Sequence, residues 1–93
     1  MDYHWHIMET FNDGNGNLTR VRWGYFVRDG AYMQEVLGEL TDLPVEAHGQ
    51  PASAFSNDTM ITWVQSNLGP ARMAEIHNEV NAKLAANKAR DPH

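Results

Sequence analysis

The third to seventh residues read YHWHI, with a histidine on either side of a tryptophan. In an extended strand His4 and His6 project from the same face, roughly 7 Å apart, and imidazole is a common metal ligand. A tight zinc site needs three or four protein ligands, and the chain has no cysteine to complete one. No short ligand spacing links the pair to His48, His77 or His93. We therefore expect no metal site and no cofactor, and interpret His4 and His6 as the outward half of a strand.

The other reactive side chains form no recognisable catalytic pattern. The serines lack the strand-to-helix context of a nucleophile elbow, and the scattered acidic residues predict no paired-carboxylate site. Asp13, Asn15 and Asn17 alternate like the first ligands of a calcium loop, but Leu18 stands where that loop needs its glycine. We expect a protein that is not an enzyme, with a small metal-dependent enzyme as the third-ranked alternative.

The charge of the chain is unevenly distributed. The formal net charge is −5, and no Lys or Arg occurs between Arg28 and Arg72. This acidic middle segment is typical of a solvated face that aids solubility; the alternative is an acidic patch that binds a basic host protein. Direct nucleic-acid binding is disfavoured, because it requires a clustered basic surface. The candidate acidic patch comprises Glu35, Glu39, Asp42 and Glu46.

The length of 93 residues predicts a single domain over 1–93. The chain starts Met1-Asp2-Tyr3, with no basic segment followed by an apolar one, and no run of about 18 apolar residues occurs anywhere. We therefore expect neither a signal peptide nor a membrane partner.

Residues 1–43 are predicted to form an antiparallel sheet. Apolar and polar side chains alternate from Tyr3 to Phe11 and again from Leu18 to Arg28. A run of Asn, Asp and Gly between these segments predicts a hairpin loop. Asp29-Gly30 is typical of a type I′ turn and predicts a second hairpin.

The segment from Ala31 to Leu40 has two interpretations. Met33, Val36, Leu37 and Leu40 fit helical spacing. The preceding Asp-Gly turn favours a strand, because a hairpin needs a partner strand to return along. We predict a strand and keep the helix as the alternative.

The C-terminal part is predicted to be helical. Residues 44–54 contain two prolines and a glycine and predict a loop. Ser56 can cap a first helix, Gly69 can end it and Pro70 suits the first turn of a second. We therefore predict a helical hairpin over 55–89 and a frayed tail over 90–93. The fold class is α+β, a three-stranded antiparallel meander followed by two helices packed on one face.

Three short motifs carry a resemblance that covers nearly the whole chain. They are the Y-x-W-x-I strand of Tyr3, Trp5 and Ile7, the strand from Val21 to Val27 that leads into DGAY, and the helix that starts at Thr59 and includes the WVQ of Trp63 to Gln65. Together they resemble a family of small, uncharacterised phage-encoded proteins with a β-β-β-α-α order. The resemblance implies that the third segment is a strand, and that the chain is a phage protein acting in the virion or the host cytoplasm.

These observations predict a structural or assembly protein that acts through an exposed face or edge of its sheet. A sheet covered by helices on one side has a second face available for a partner. The predicted interaction face comprises His4, His6, Arg20 and Arg22. The expected partner is a virion component or a second copy of the chain in a homo-oligomer. The alternative is an acidic inhibitor of a host defence protein or host enzyme.

Overall fold

The computed structural model describes residues 1–90, which form three strands, two short 3₁₀ turns and one long helix. The elements are β1 (Asp2–Asn12), β2 (Leu18–Asp29), β3 (Tyr32–Leu40) and α1 (Asn57–Arg90). The strands make one antiparallel sheet in the order β1-β2-β3. The predicted meander is confirmed, including the third strand, whose periodicity also fits a helix.

The prediction of two helices in a hairpin is wrong. Residues 1–90 contain one α-helix, α1, with a kink at Gly69, whose φ of 78° and ψ of 164° are not helical. Glycine tolerates this positive φ, and Pro70 fits the turn after it because proline has no backbone N–H to leave unpaired. The two signals that predicted a helix end and a helix start thus occupy adjacent residues, so no connecting loop separates the parts before and after the kink.

The second hairpin turn is centred one residue later than predicted. Asp29 pairs with Tyr32, so the two central residues are Gly30 and Ala31. Gly30 has a φ of 61°, as the first central residue of a type II′ turn requires. Asp29 remains in the ladder, and its carboxylate pairs with Lys88 of α1.

A β-bulge in β1 controls which side chains face the helix. The register with β2 shifts between Ile7 and Glu9, leaving Met8 without a partner. An extra residue reverses the alternation of side chains. Ile7 therefore faces the core, whereas Glu9 faces away from it together with its cross-strand partner Arg22.

The hydrophobic core lies between α1 and the face of the sheet that it covers. The helix lies mainly over β3 and β2 and covers β1 least. Trp23 packs directly over Gly38, where an added Cβ would lie 2.3 Å from the indole ring. The largest fully buried side chains are Val21, Val27, Val64, Ile76 and Val80.

The connection between β3 and α1 is mostly irregular. It contains two 3₁₀ turns, Val45–Ala47 and Ala52–Ala54, within the predicted 44–54 loop. The backbone N–H of Thr59 donates to the Ser56 hydroxyl at 3.1 Å, so Ser56 caps the helix as predicted.

Arg90 is the last residue of α1. The remainder of the predicted frayed tail, 91–93, lies outside the described residues. Within residues 1–90, no helix has both the length and the apolarity needed to span a bilayer.

Candidate interaction surface

The face of the sheet opposite α1, which we call the open face, carries an aromatic side chain at its middle. Phe26 pairs with His4 on one side and with Glu35 on the other. Its ring lies 5.7 Å from that of His4 and 6.3 Å from that of His6. Gly24 leaves room for this ring, because a Cβ there would be 2.8 Å from it. The Phe26 ring therefore lies along the middle strand, over Gly24, with both imidazoles of β1 beside it.

Two apolar side chains of β3, one on either side of Glu35, lie on the same face as Phe26. Leu37 pairs with Gly24 and is 42% exposed, and Met33 pairs with Arg28 and is 58% exposed. Phe26, Met33 and Leu37 are all absent from the core cluster on the helix side. We call these three residues the apolar centre.

Ion pairs border the apolar centre on the side of the bulge. Arg22 lies 3.7 Å from Glu9, and Arg20 lies 3.6 Å from Glu39. The Arg20 guanidinium also stacks on the ring of Phe11, 4.0 Å from its centroid. Exposed pairs of this kind contribute little to stability, but they leave this end of the open face nearly neutral.

The four residues of the predicted interaction face all lie on the open face. His4 and His6 lie beside Phe26, whereas Arg20 and Arg22 lie beyond them in the charged border. That this face binds a partner stays a prediction.

The candidate acidic patch is divided between two parts of the fold. Glu35 and Glu39 belong to β3 and alternate with its core residues. Asp42 and Glu46 border a surface cavity of about 440 Å³ beside Trp63 of α1. The indole N–H of Trp63 donates to Glu46 Oε1 at 2.9 Å, so Glu46 already has a polar partner.

Two tyrosines and a histidine meet on the helix side of the sheet. The Tyr25 hydroxyl lies 2.9 Å from His77 Nδ1, and the Tyr3 hydroxyl donates to Asn81 Oδ1 at 2.8 Å. Burial, and to a smaller extent the charge of Tyr3, raises the pKa of Tyr25. The Tyr25 hydroxyl therefore keeps its proton at neutral pH and can donate a hydrogen bond to His77 Nδ1. Tyr25 is only 8% exposed, and its contact with His77 links β2 to α1 and holds the helix on the sheet.

Replacing Tyr25 with Phe is expected to lower the free energy of unfolding at pH 8 by about 1 kcal/mol, the usual net value of one hydrogen bond. The raised pKa of Tyr25 gives this difference a pH dependence. The unfolded chain loses the phenol proton from about pH 10, before the folded chain does, so the stabilisation is present below that pH and lost above it. Urea denaturation from pH 8 to 11 measures the effect. A difference between wild type and Tyr25→Phe that stays constant through pH 11 would show that the phenol is not buried as described.

Within residues 1–90, no three His, Cys, Asp or Glu side chains come together in a way that could hold a metal ion. His4 and His6 are both exposed and make ring contacts with Phe26. Within residues 1–90, one copy of the protein therefore supplies two imidazoles here and no third metal ligand beside them.

The interaction face predicted from the sequence did not include the apolar centre. The available signal was Phe26, which occupies an outward position of β2 in the same alternation as Arg20 and Arg22. Leu37 and Met33 gave no such signal, because their segment also fitted a helix in which both would face the core.

The resemblance to small phage proteins remains a prediction. Comparison with protein-family models, curated proteins and solved structures found no significant match to the chain.

Proposed function

We propose that the chain is a non-enzymatic phage protein, a small structural or assembly component that binds another protein through its open face. The observation that carries this proposal is the apolar centre on the sheet face that, within residues 1–90, lies opposite the helix. The proposed location is the virion, or the host cytoplasm during assembly.

The composition of the open face supports protein binding. Protein interfaces combine an apolar and aromatic core with a polar rim, and Phe, Met and Arg are enriched in them. Here Phe26, Met33 and Leu37 supply the core, and the paired Arg20 and Arg22 supply part of the rim.

The charge of the open face indicates the chemistry of the partner. Arg20 and Arg22 are neutralised by Glu39 and Glu9, so a phosphate backbone would have to displace an existing ion pair at each of these two arginines. The proposed partner is therefore an apolar patch on another virion protein, surrounded by polar residues.

The alternative role as an acidic inhibitor has less support. Glu39 and Glu46 already bind Arg20 and Trp63, which lowers the charge free to attract a basic host protein. A metal-dependent enzyme remains the third alternative, and its structural support is limited to the exposed pair of His4 and His6.

The proposal is tested with particles from phage that carry three versions of the protein: wild type, the double variant Phe26→Glu with Leu37→Glu, and the control Val45→Glu. Val45 is 82% exposed and lies in the loop before α1. Quantitative mass spectrometry of purified particles should find equal amounts of wild type and control. The double variant should fall at least about tenfold, because a charge in an apolar interface core costs more than 1.4 kcal/mol.

Two results would contradict the proposal. One is the absence of the wild-type protein from purified particles, and the other is incorporation of the double variant at the wild-type level. Thermal denaturation of the purified variants checks folding, because Phe26→Glu places a carboxylate opposite Glu35, and like charges at such a position are expected to cost up to about 1 kcal/mol.

A further inference from the structure

The outer edge of β1 is the less protected of the two sheet edges. At the opposite edge, Lys83 of α1 donates from Nζ to the backbone carbonyl of Glu35 in β3. β1 is eleven residues long and contains no Lys, Arg or Pro, the residues that commonly block edge pairing. The helix also covers this strand least. An extended segment of another chain can therefore add to the sheet at β1.

The sequence at this edge is nearly symmetric about Trp5. Tyr3 and Ile7 are equally distant from it, and so are His4 and His6. If two copies of β1 pair in antiparallel fashion with Trp5 opposite Trp5, then Tyr3 lies opposite Ile7 and His4 lies opposite His6. A strand of this kind is complementary to itself, as a two-fold interface requires. The paired segment ends at the bulge after Ile7.

The helix side of β1 gives a reason for a second copy to bind there. Tyr3 and Trp5 pack against the core but are only partly buried. In the two-fold arrangement, the exposed part of each Trp5 would be covered by the same residue of the other copy. Burying aromatic surface in this way favours association.

On the open face, the same pairing brings four imidazoles together. Directly opposed residues on antiparallel strands have Cβ atoms about 5 Å apart, so each His4 would lie beside the His6 of the other copy. Three or four imidazoles at this spacing match the ligand number of zinc. His4 and His6 are exposed, and within residues 1–90 each has a ring contact with Phe26, so both can turn towards a shared ion.

We propose that two copies of the chain pair along β1 about a two-fold axis at Trp5, and that His4 and His6 of both copies together bind Zn²⁺. The pairing extends the sheet to six strands and leaves the apolar centre uncovered. The dimer proposal is therefore independent of the proposed function, and either one can be wrong while the other is right.

The register is tested by disulfide formation, because the chain has no cysteine of its own. A ¹⁵N-labelled His4→Cys variant is mixed with an equal amount of unlabelled His6→Cys and oxidised. The proposed register places residue 4 opposite residue 6 and separates identical residues by about 8 Å, which is too far for a disulfide. The mixed species should thus exceed about 90% of the cross-linked product, whereas random collision gives about half. A mixed fraction near half, or no disulfide, would overturn the pairing.

The metal site is tested by sedimentation velocity with Zn²⁺ or with a chelator. Zn²⁺ should lower the dimer dissociation constant of wild type at least about tenfold. The double variant His4→Gln with His6→Gln should lose this effect, and the control His48→Gln, at an exposed loop histidine, should keep it. No effect of Zn²⁺ on wild type, or an equal effect on the double variant, would overturn the assignment.

Discussion

Replacing Gly38 with Ala is expected to lower the free energy of unfolding by about 3 kcal/mol, a large value for one methyl group. The new Cβ would lie 2.3 Å from Cζ2 and 2.7 Å from Cε2 of Trp23. Trp23 is buried at 6% exposure, so its ring cannot move aside without disturbing the core. The strain should outweigh the smaller entropic gain that alanine brings through the unfolded state.

Gly24→Ala is the matched control for Gly38→Ala. A Cβ at Gly24 would meet the ends of Phe26 and Leu37 at 2.8 and 3.0 Å, but both side chains lie on the open face and can turn towards solvent. We expect a loss below about 1 kcal/mol in urea denaturation. Equal losses for the two variants would contradict the assignment of Trp23 to a packed face and of Phe26 to an open one.

Replacing Ile76 with Ala should remove about 3 kcal/mol of stability, within the range measured for buried isoleucine. Ile76 is completely buried and belongs to the part of α1 after the kink at Gly69. The cavity left by the side chain cannot close easily, because α1 is held by the hydrogen bond between Tyr25 and His77 beside it. The melting temperature of a domain of this size should fall by about 15 °C.

The control for Ile76→Ala is Val45→Ala, which truncates another β-branched side chain at 82% exposure. Its effect should stay within about 0.5 kcal/mol. If Ile76→Ala lost less than about 1 kcal/mol, the helix after the kink would not pack on the sheet as described.

The strands were predictable because their signals are local. Alternation in β1 and β2 follows from the two-residue period of a strand, and the glycine after Asp29 marks a hairpin. The helical hairpin was not predictable in the same way. Gly69 and Pro70 signal a break in a helix, but whether that break becomes a loop or a kink depends on how both parts pack on the sheet.

The open face was only partly predictable for a related reason. The positions of His4, His6, Arg20 and Arg22 follow from alternation within single strands. The apolar centre depends on the pairing register, which places Gly24 between His6 and Leu37 and lets Phe26 lie across it. Register is a property of the assembled sheet, which a single segment does not specify.

Methionine oxidation tests most directly the claim that the open face is the binding surface. Met33 is 58% exposed on the open face, and Met1, at 70% exposure, lies on the helix side, where its sulfur is 3.5 Å from the Tyr3 hydroxyl oxygen. Both should oxidise readily in the free protein, since oxidation follows exposure. In assembled particles we expect Met33 to oxidise at least about fivefold more slowly while Met1 is unchanged. Equal oxidation of Met33 in free and assembled protein, or protection of Met1 alone, would contradict the account.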